Sequence, residues 1–241
     1  MESPIKLYKN MKKELNIGLY IMIGLSLLGL FIFASVGKYR SYDRVVSVKG
    51  LCEKEVSADN VTWPVAYKLV GNDLVYLYKE IKRTNLIIEK FLLDNGISKE
   101  DIYINAPEVL DLQADRYAQK DGIYRYNVTS VLTISSSEVE KVRETINKQA
   151  VLLEQGIALY SDYNYLVTYE YTGLNDIKPQ MIEEATKNAR AAADKFAEDS
   201  KSSLGRIKRA SQGVFSVTSR DRNTPYIKRV RVVTSIDYYL K

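Results

Sequence analysis

The side chains that could carry chemistry in this sequence are few, because its 241 residues include no histidine and one cysteine. Histidine is the commonest general base and transition-metal ligand, and Ser-His or Cys-His nucleophile pairs require it. No glycine-rich phosphate loop is present either. We therefore predict that the protein is not an enzyme and holds no cofactor, with a hydrolase or a redox enzyme as an alternative.

Cys52 is the residue on which a redox role would depend. It follows Gly50 on a predicted strand, where a thiol is usually buried in the sheet. A redox thiol would have to be exposed and lie beside a cation, and Lys54 falls on the same side of the strand. The sequence alone leaves both interpretations of this cysteine open.

Two pairs of adjacent acidic residues, at positions 183–184 and 198–199, lie on one predicted helix and could act as acid and base. Adjacent side chains on a helix diverge, so we expect solvated surface charges. Glu108, Asp111 and Asp115 could approach a cation if their segment folded back. They lack the glycine and the ligand spacing of a calcium loop, so we predict no metal site.

The strongest charge asymmetry lies near the carboxy-terminal end, where residues 206–231 carry a net charge of +7 while residues 45–204 carry −6. The basic side chains there are the candidate interaction residues: Arg206, Lys208, Arg209, Arg220, Arg222, Lys228, Arg229 and Arg231. On a predicted terminal hairpin, they either point into solvent or dock on an acidic surface of a neighbouring subunit, or on an anionic envelope polymer or lipid. Most of the remaining basic excess lies in residues 1–44, so no nucleic-acid partner is predicted.

One segment is apolar enough to enter a bilayer. Residues 15–37 (LNIGLYIMIGLSLLGLFIFASVG) contain no charge, and as a helix they would be ~34 Å long against a hydrocarbon core of ~30 Å. We predict a transmembrane signal anchor at 15–37, between a short basic tail at 1–14 and a connector at 38–44. Four preceding lysines favour a cytoplasmic amino terminus. The alternative is a signal peptide cleaved near 35–37 and a secreted domain.

Periodicity divides the remaining chain, residues 45–241, into strands and helices. Apolar residues at three- and four-residue spacing predict helices at about 73–95, 137–155 and 176–203, and alternating apolar residues predict the strands. The predicted order is β-β-α-β-β-α-β-α-β-β. Paired strands between helices are typical of an antiparallel sheet packed with about three helices, so we predict one α+β domain on the extracytoplasmic side.

Local signals predict where these elements begin and end. Asn72 is a candidate N-cap for the first helix, and Ser137 with Glu140 forms a capping-box pattern for the second. Gly205 is predicted to end the third helix in a left-handed cap. Pro64 cannot donate to a strand ladder, so we expect it at a sheet edge or a bulge.

The third helix carries a stripe of mostly small residues: Ala185, Ala189, Ala192, Ala193 and Phe196. Small side chains allow a helix backbone to approach a sheet or another helix closely, so we predict that this stripe is buried packing. The chain also has nineteen tyrosines, five of them between residues 160 and 171. We predict a strand there, with its tyrosines packed in a sheet or forming a subunit contact.

Three stretches in register resemble the SIMPL-domain family: the strand VVSVKGLCEKEVSAD, the helix end LLDNGISKEDI, and alanines at four-residue spacing before LGRI. The matching residues are Val48, Gly50, Val56, Asp59, Leu92, Gly96, Ile97, Asp101, Ile102, Ala185, Ala189, Ala193, Ala197 and residues 204–207. VTWPVAYKLVGNDL resembles a membrane-anchored subgroup. Over about residues 45–240, the resemblance implies a bacterial α+β envelope protein that tends to form oligomers and is sometimes linked to stress responses.

Together these observations predict a single-pass protein of the inner membrane with a non-catalytic SIMPL-type domain in the periplasm. The domain would act through self-association or by binding other proteins, with envelope or oxidative stress defence as the implied setting. The alternative is a module that binds anionic lipid or polymer through the basic hairpin. We expect a homo-oligomer, a protein or anionic envelope partner, and no nucleic acid.

Overall fold

The computed structural model describes residues 19–33, 44–114 and 124–241. The strands are β1 (Val45–Ser57), β2 (Asn60–Gly71), β3 (Ile102–Ile104), β4 (Glu108–Asp111), β5 (Tyr126–Ser136), β6 (Thr168–Glu170), β7 (Leu204–Gln212), β8 (Ser216–Ser219) and β9 (Ile227–Leu240). The helices are α1 (residues 19–33), α2 (Leu74–Asp94), α3 (Val139–Asn147), α4 (Ala150–Glu154) and α5 (Leu174–Asp199). Both sheets contain antiparallel pairings, which confirms the predicted α+β class.

The chain divides into two compact units. The first contains Met1–Cys52, Ile182–Val214 and Val232–Lys241, and the second contains Glu53–Met181 and Phe215–Arg231. β1, α5 and β9 each contribute residues to both units.

The second unit contains a five-stranded sheet in the order β3-β5-β2-β6, with β4 also paired to β5. One alternating face of β2 is buried, since Val61, Trp63, Val65 and Tyr67 are each at most 3% exposed. These side chains form a core with residues of β5, α2, α3 and α4. Pro64 lies beyond the short stretch of β2 that pairs with β6, so its predicted edge position is confirmed.

The predicted N-cap of α2 is wrong by one residue. The carboxylate of Asp73, not the amide of Asn72, accepts hydrogen bonds from the backbone N–H groups of Val75 (2.9 Å) and Tyr76 (3.1 Å). Asn72 accepts instead from the backbone of Arg125. A charged acceptor at the positive end of the helix is favoured over a neutral one, and the sequence offered both side by side.

The second predicted helix is two shorter helices, α3 and α4. The capping box of Ser137 and Glu140 does not form, because Glu138 is the N-cap and its side chain makes no capping hydrogen bond. At the junction, Lys148 N donates to the carbonyl oxygen three residues back rather than four. This tightening ends α3 early. Gly156 follows α4 with a φ of +78°, a left-handed conformation that closes this helical segment.

The predicted tyrosine-rich strand is mostly wrong. Only β6 belongs to a strand there, and Tyr163–Tyr165 form a 3-10 turn. Leu159 makes one isolated bridge with Tyr67 of β2. Between this bridge and β6 the chain leaves the edge of β2, so the β propensity of tyrosine is overridden by tertiary structure.

In the first unit, α5 packs directly on β1. A Cβ atom placed on Gly50 would lie 1.9 Å from the Ala185 carbonyl oxygen and 2.8 Å from the Ala189 Cβ. Glycine on the strand and alanine on the helix therefore allow an approach that larger side chains would prevent. This contact explains the alanine-rich composition of the helix.

The predicted stripe of α5 is confirmed in its four-residue spacing and wrong in two members. The buried alanines, each at most 3% exposed, are Ala185, Ala189, Ala193 and Ala197. Ala192 and Phe196 are exposed instead. Because α5 packs on a single flat surface, its buried stripe is narrower than the predicted one.

Gly205 does not cap α5. The left-handed residue after this helix is Lys201, with a φ of +55°. Gly205 lies within β7, where an added Cβ would be 2.6 Å from the carbonyl oxygen of Tyr239. β7 and β8 both pair with β9, so the predicted terminal hairpin is present, with its first arm divided into two strands.

Of the predicted membrane segment at 15–37, residues 19–33 are described, and they form α1, in which every residue is exposed. Among the described residues, no helix combines the length and the apolar character needed to cross a membrane. The predicted tail at 1–14 and both ends of the segment lie outside the described residues, as does the connector at 38–44 except for its last residue.

Candidate interaction surfaces

An apolar groove lies between α2 and the β3–β4 edge of the sheet in the second unit. Two adjoining cavities of about 320 and 310 Å³ form it, and both are lined by Tyr78, Ile81 and Pro107. Pro107 lies between β3 and β4. We call this surface the α2 groove, and its exposed apolar side chains are Leu74, Val75, Tyr78, Leu86, Ile104 and Val109.

The large side chains of the α2 groove are 42–66% exposed. Soluble monomers rarely leave contiguous apolar patches larger than about a few hundred Å² in water. Six such side chains around a concave surface are therefore typical of a binding surface rather than of ordinary exterior.

Two opposite charges lie within the α2 groove, both on α2. The Nζ of Lys82 is 4.8 Å from the centre of the Tyr78 ring, and it forms no ion pair with a described residue. Glu89, seven residues later, approaches the Nζ of Lys99 at 3.6 Å. Because seven residues are two helical turns, both charges lie on one side of α2, about 10 Å apart along its axis.

The floor of the α2 groove is a buried hydrogen-bonded cluster. Asn85 is 8% exposed, and its Oδ1 accepts from Tyr67 Oη at 2.7 Å and from Ser130 Oγ at 3.3 Å. Burial raises the pKa of Tyr67, so its hydroxyl stays a neutral donor. The cluster joins α2 to β2 and β5 and holds the groove in shape.

A second apolar cavity, of about 350 Å³, lies beside β2 where the chain at 161–167 leaves the strand edge. Ala66 O accepts a hydrogen bond from Tyr160 N at 2.7 Å on this edge. Because backbone groups alternate along a strand, the carbonyl of Pro64 points to the same side. The lining is mainly aliphatic and aromatic, including Trp63, which suits an apolar group.

The rim of this second cavity, beside β2, is held in place by polar contacts around Tyr160. Lys68 Nζ lies 3.5 Å from the centre of the Tyr160 ring, and the Tyr160 hydroxyl donates to Asp162 at 2.8 Å. That hydrogen bond lowers the pKa of Asp162. The Asp162 carboxylate is thereby kept as an acceptor for the tyrosine, which gives the rim a structural role.

The predicted basic residues divide into groups with different surroundings. Arg220 and Arg229 approach Glu55 at 3.5 and 3.6 Å, and Arg231 approaches Glu53 at 3.6 Å. Both glutamates belong to β1. Three of the eight predicted residues therefore have part of their charge balanced within the chain.

Lys228 is the exception among the predicted residues, because it is 8% exposed and donates to Ser219 Oγ at 3.0 Å. Burial lowers the pKa of Lys228. The remaining predicted residues are exposed and form no ion pair with any residue that the structure describes: Arg206, Lys208, Arg209 and Arg222. Three of these four follow one another along β7.

Cys52 is buried at 3% exposure, and its Sγ donates to Glu184 Oε2 at 3.3 Å. The predicted neighbouring cation, Lys54, directs its Nζ to Gln180 at 3.3 Å. A buried thiol beside a carboxylate lacks the exposed, cation-flanked surroundings of a redox cysteine. Of the two interpretations left open by the sequence, burial is the one that the structure shows.

Three of the four residues in the acidic pairs on α5 form ordinary surface contacts, and the fourth, Glu184, accepts from Cys52. Glu183 pairs with Lys187 at 2.6 Å, while Glu198 and Asp199 both pair with Lys195. Their side chains are 64–74% exposed. These contacts agree with the expected solvated charges.

Of the acidic residues considered as cation ligands, Asp111 is paired with an arginine instead. Arg125 lies 2.8 Å from the Asp111 carboxylate, and hydrogen bonding from this guanidinium lowers the pKa of Asp111. Asp115 lies outside the described residues. Within residues 19–33, 44–114 and 124–241, no three acidic, histidine or cysteine side chains are grouped as a metal site would require.

The sequence analysis did not find the α2 groove. A signal was present, because α2 is apolar on more than one side: Leu77, Ile81 and Ile88 are buried while Val75 and Leu86 are exposed. A helix that is apolar around most of its circumference is usually covered on most of its circumference. Helical periodicity alone predicts the helix but does not show which of its apolar sides the core covers.

The comparisons with known proteins give one family. The model of SIMPL, described as a protein of unknown function (DUF541), matches residues 46–233. No curated protein matches the chain significantly. The family match begins within β1 and ends within β9, and it confirms the family resemblance predicted from the sequence.

Proposed function

Because this chain belongs to the SIMPL family, we propose that it is a membrane-anchored envelope protein whose SIMPL domain acts through contact with further copies of itself or with other proteins. Residues 15–37 form the anchor, and the domain follows in the extracytoplasmic space. Envelope or oxidative stress defence is the setting we propose from the family resemblance. The observation that carries the contact role is the α2 groove.

The support for the anchor comes from residues 15–37 and their described part, α1. The segment contains no charge, and every residue of α1 is exposed. Large side chains such as Phe31 and Phe33 are 71% and 81% exposed. Such a surface is costly in water and is favoured in a bilayer.

The support for a contact role comes from the difference between the α2 groove and the sites where chemistry could occur. The groove leaves six large apolar side chains half exposed, whereas Cys52 is buried and three of the four residues in the acidic pairs of α5 are held by lysines. Burying exposed apolar surface against a partner contributes about 25 cal/mol per Å². The exposed apolar surface therefore favours association.

Membrane fractionation followed by amine cross-linking of the full chain tests this proposal. We expect the chain in the alkali-resistant membrane fraction and cross-linked species above the mass of one chain. Replacing Leu25 and Leu28 by Arg should move it to the soluble fraction, because two charges at a helix centre cost about 5–7 kcal/mol in insertion. A wild-type chain that is soluble and not cross-linked would contradict the proposal.

An anionic surface is the second candidate, and the basic side chains of β7 favour it. Arg206, Lys208 and Arg209 are exposed and form no ion pair with a described residue. Exposed cations that form no ion pair within the described part of the chain are available to phosphate or carboxylate groups of a lipid or polymer.

Flotation with vesicles containing anionic lipid tests the second candidate. Arg206, Lys208 and Arg209 replaced by Glu should reduce flotation and its salt dependence, because each basic residue contributes about 1 kcal/mol at an anionic surface. The matched control replaces Arg220, Arg229 and Arg231, which already face Glu53 and Glu55 and should matter less. Equal losses in both triple variants would exclude a specific role for β7.

A further inference from the structure

The α2 groove has a charge pattern that is complementary to itself when it is reversed. Lys82 and Glu89 lie on one side of α2, and Leu86 lies between them and is 66% exposed. In a pair related by a two-fold axis, each surface patch meets its own copy. Reversal of the order Lys82, Leu86, Glu89 brings opposite charges together, which favours such a pair.

We propose that a second copy of this chain occupies the α2 groove, with the two α2 helices antiparallel about a two-fold axis beside Leu86. Lys82 of each copy then lies opposite Glu89 of the other. The inference rests on the proposed function and names the partner and the surface of its contact role.

The apolar residues fit the same arrangement. A two-fold axis midway between positions 82 and 89 places position 78 opposite position 93, and both positions carry large apolar side chains. Tyr78 is 51% exposed and Leu93 is 41% exposed. The two copies of Leu86 approach each other at the centre. In this arrangement Tyr78 therefore meets an apolar residue, and Lys82 meets its opposite charge, Glu89.

The contacts within one chain leave these groups available for a partner. Among the described residues Lys82 has no ion pair, and the Glu89 carboxylate, whose side chain is 17% exposed, pairs with an exposed Lys99 at 3.6 Å. A carboxylate has acceptor sites for more than one donor. The buried Asn85 cluster beneath them holds α2 on the sheet, so the stripe is presented by a supported helix.

A charge-swap series on the full chain in detergent micelles tests the arrangement. Lys82→Glu and Glu89→Lys should each weaken association by about tenfold or more, because each places like charges together twice in the pair. The double variant restores both attractions and should recover most of the lost affinity. Lys99→Gln, which removes only the partner of Glu89 within the chain, should leave association unchanged.

Cysteine cross-linking gives the geometry independently of affinity. Cys52 is buried, so Leu86→Cys introduces one exposed thiol, and mild oxidation should convert it to a disulfide-linked dimer. Phe196→Cys is the matched control, since Phe196 is an apolar residue of α5 that is 52% exposed and lines neither the α2 groove nor the second cavity. It should not cross-link efficiently.

The outcomes separate this inference from the proposed function. A chain that associates normally, yet shows neither recovery in the double variant nor cross-linking at position 86, overturns the antiparallel arrangement and leaves the proposed function standing. A chain that stays monomeric at every concentration overturns both the arrangement and self-association. Recovery together with selective cross-linking supports the arrangement.

Discussion

The two long helices α5 and α2 bury apolar surface in opposite ways. In the first unit, α5 uses alanines that are at most 3% exposed, against a glycine of β1. In the second unit, α2 buries large side chains on one side and exposes others, including Val75 and Leu86, on another. In this chain small residues mark a helix contact completed within the chain, and the surplus large residues of α2 mark the surface that we propose as a contact with a second copy.

The first prediction enlarges an alanine on the completed contact. Ala189→Leu should destabilise the fold by about 3 kcal/mol, because the added carbons have no space beside Gly50. Ala192→Leu, on the exposed side of the same helix, should change stability by less than about 0.5 kcal/mol. Thermal unfolding of the full chain, followed by circular dichroism, measures both. Equal stability of the two variants would mean that α5 does not pack on β1 as described.

The second prediction compares an exposed apolar residue on each helix. Leu86→Asp should abolish association at micromolar concentration, because two carboxylates would be buried at the centre of the contact. Phe196→Asp on α5, at a site that is 52% exposed, should leave the mass unchanged. Light scattering of both variants provides the measurement. Loss of association in the Phe196 variant alone would move the contact from α2 to α5.

The third prediction concerns how the two helices begin. α2 is capped by its own neighbour Asp73, whereas the backbone N–H groups before α5, at Thr172 (2.7 Å) and Gly173 (2.9 Å), donate to Asp59. Burial by itself raises the pKa of Asp59, but these hydrogen bonds outweigh it and leave the pKa below its ordinary value. The carboxylate therefore contributes stability above about pH 4, and this contribution is lost as the pH falls through the lowered pKa.

Variants at position 59 separate the charge from the hydrogen bonds. Asp59→Ala should lose about 1 kcal/mol at neutral pH, the usual value of a helix cap. Asp59→Asn keeps an acceptor oxygen and should lose less, with a flatter decline of stability in acid. Unfolding midpoints measured between pH 3 and pH 7 test both expectations. A wild-type acid profile in the Asn variant would exclude Asp59 as a source of the pH dependence.

Much of the fold could be predicted because periodicity and small residues act locally. The alternating face of β2, the edge position of Pro64 and the four-residue spacing of the buried alanines all follow from side-chain direction and size. The errors arose where tertiary contacts decide. Gly205 is needed for space against Tyr239 rather than for a helix cap, and no local pattern distinguishes these two uses of glycine.

The candidate surfaces were harder to predict than the fold. The basic residues were found by charge, but the sequence could not show that Arg220, Arg229 and Arg231 approach glutamates of β1. The α2 groove depends on which side of a helix the core covers, and that is decided by strands distant in sequence. The sequence signal for this groove is the presence of more apolar residues on α2 than one buried side requires.

Sedimentation equilibrium of the full chain, in a detergent matched to the solvent density, tests most directly the claim that the protein works by contact with its own copies. We predict a mass that rises with concentration toward twice the mass of one chain. The mass of a single chain at every concentration would contradict the account.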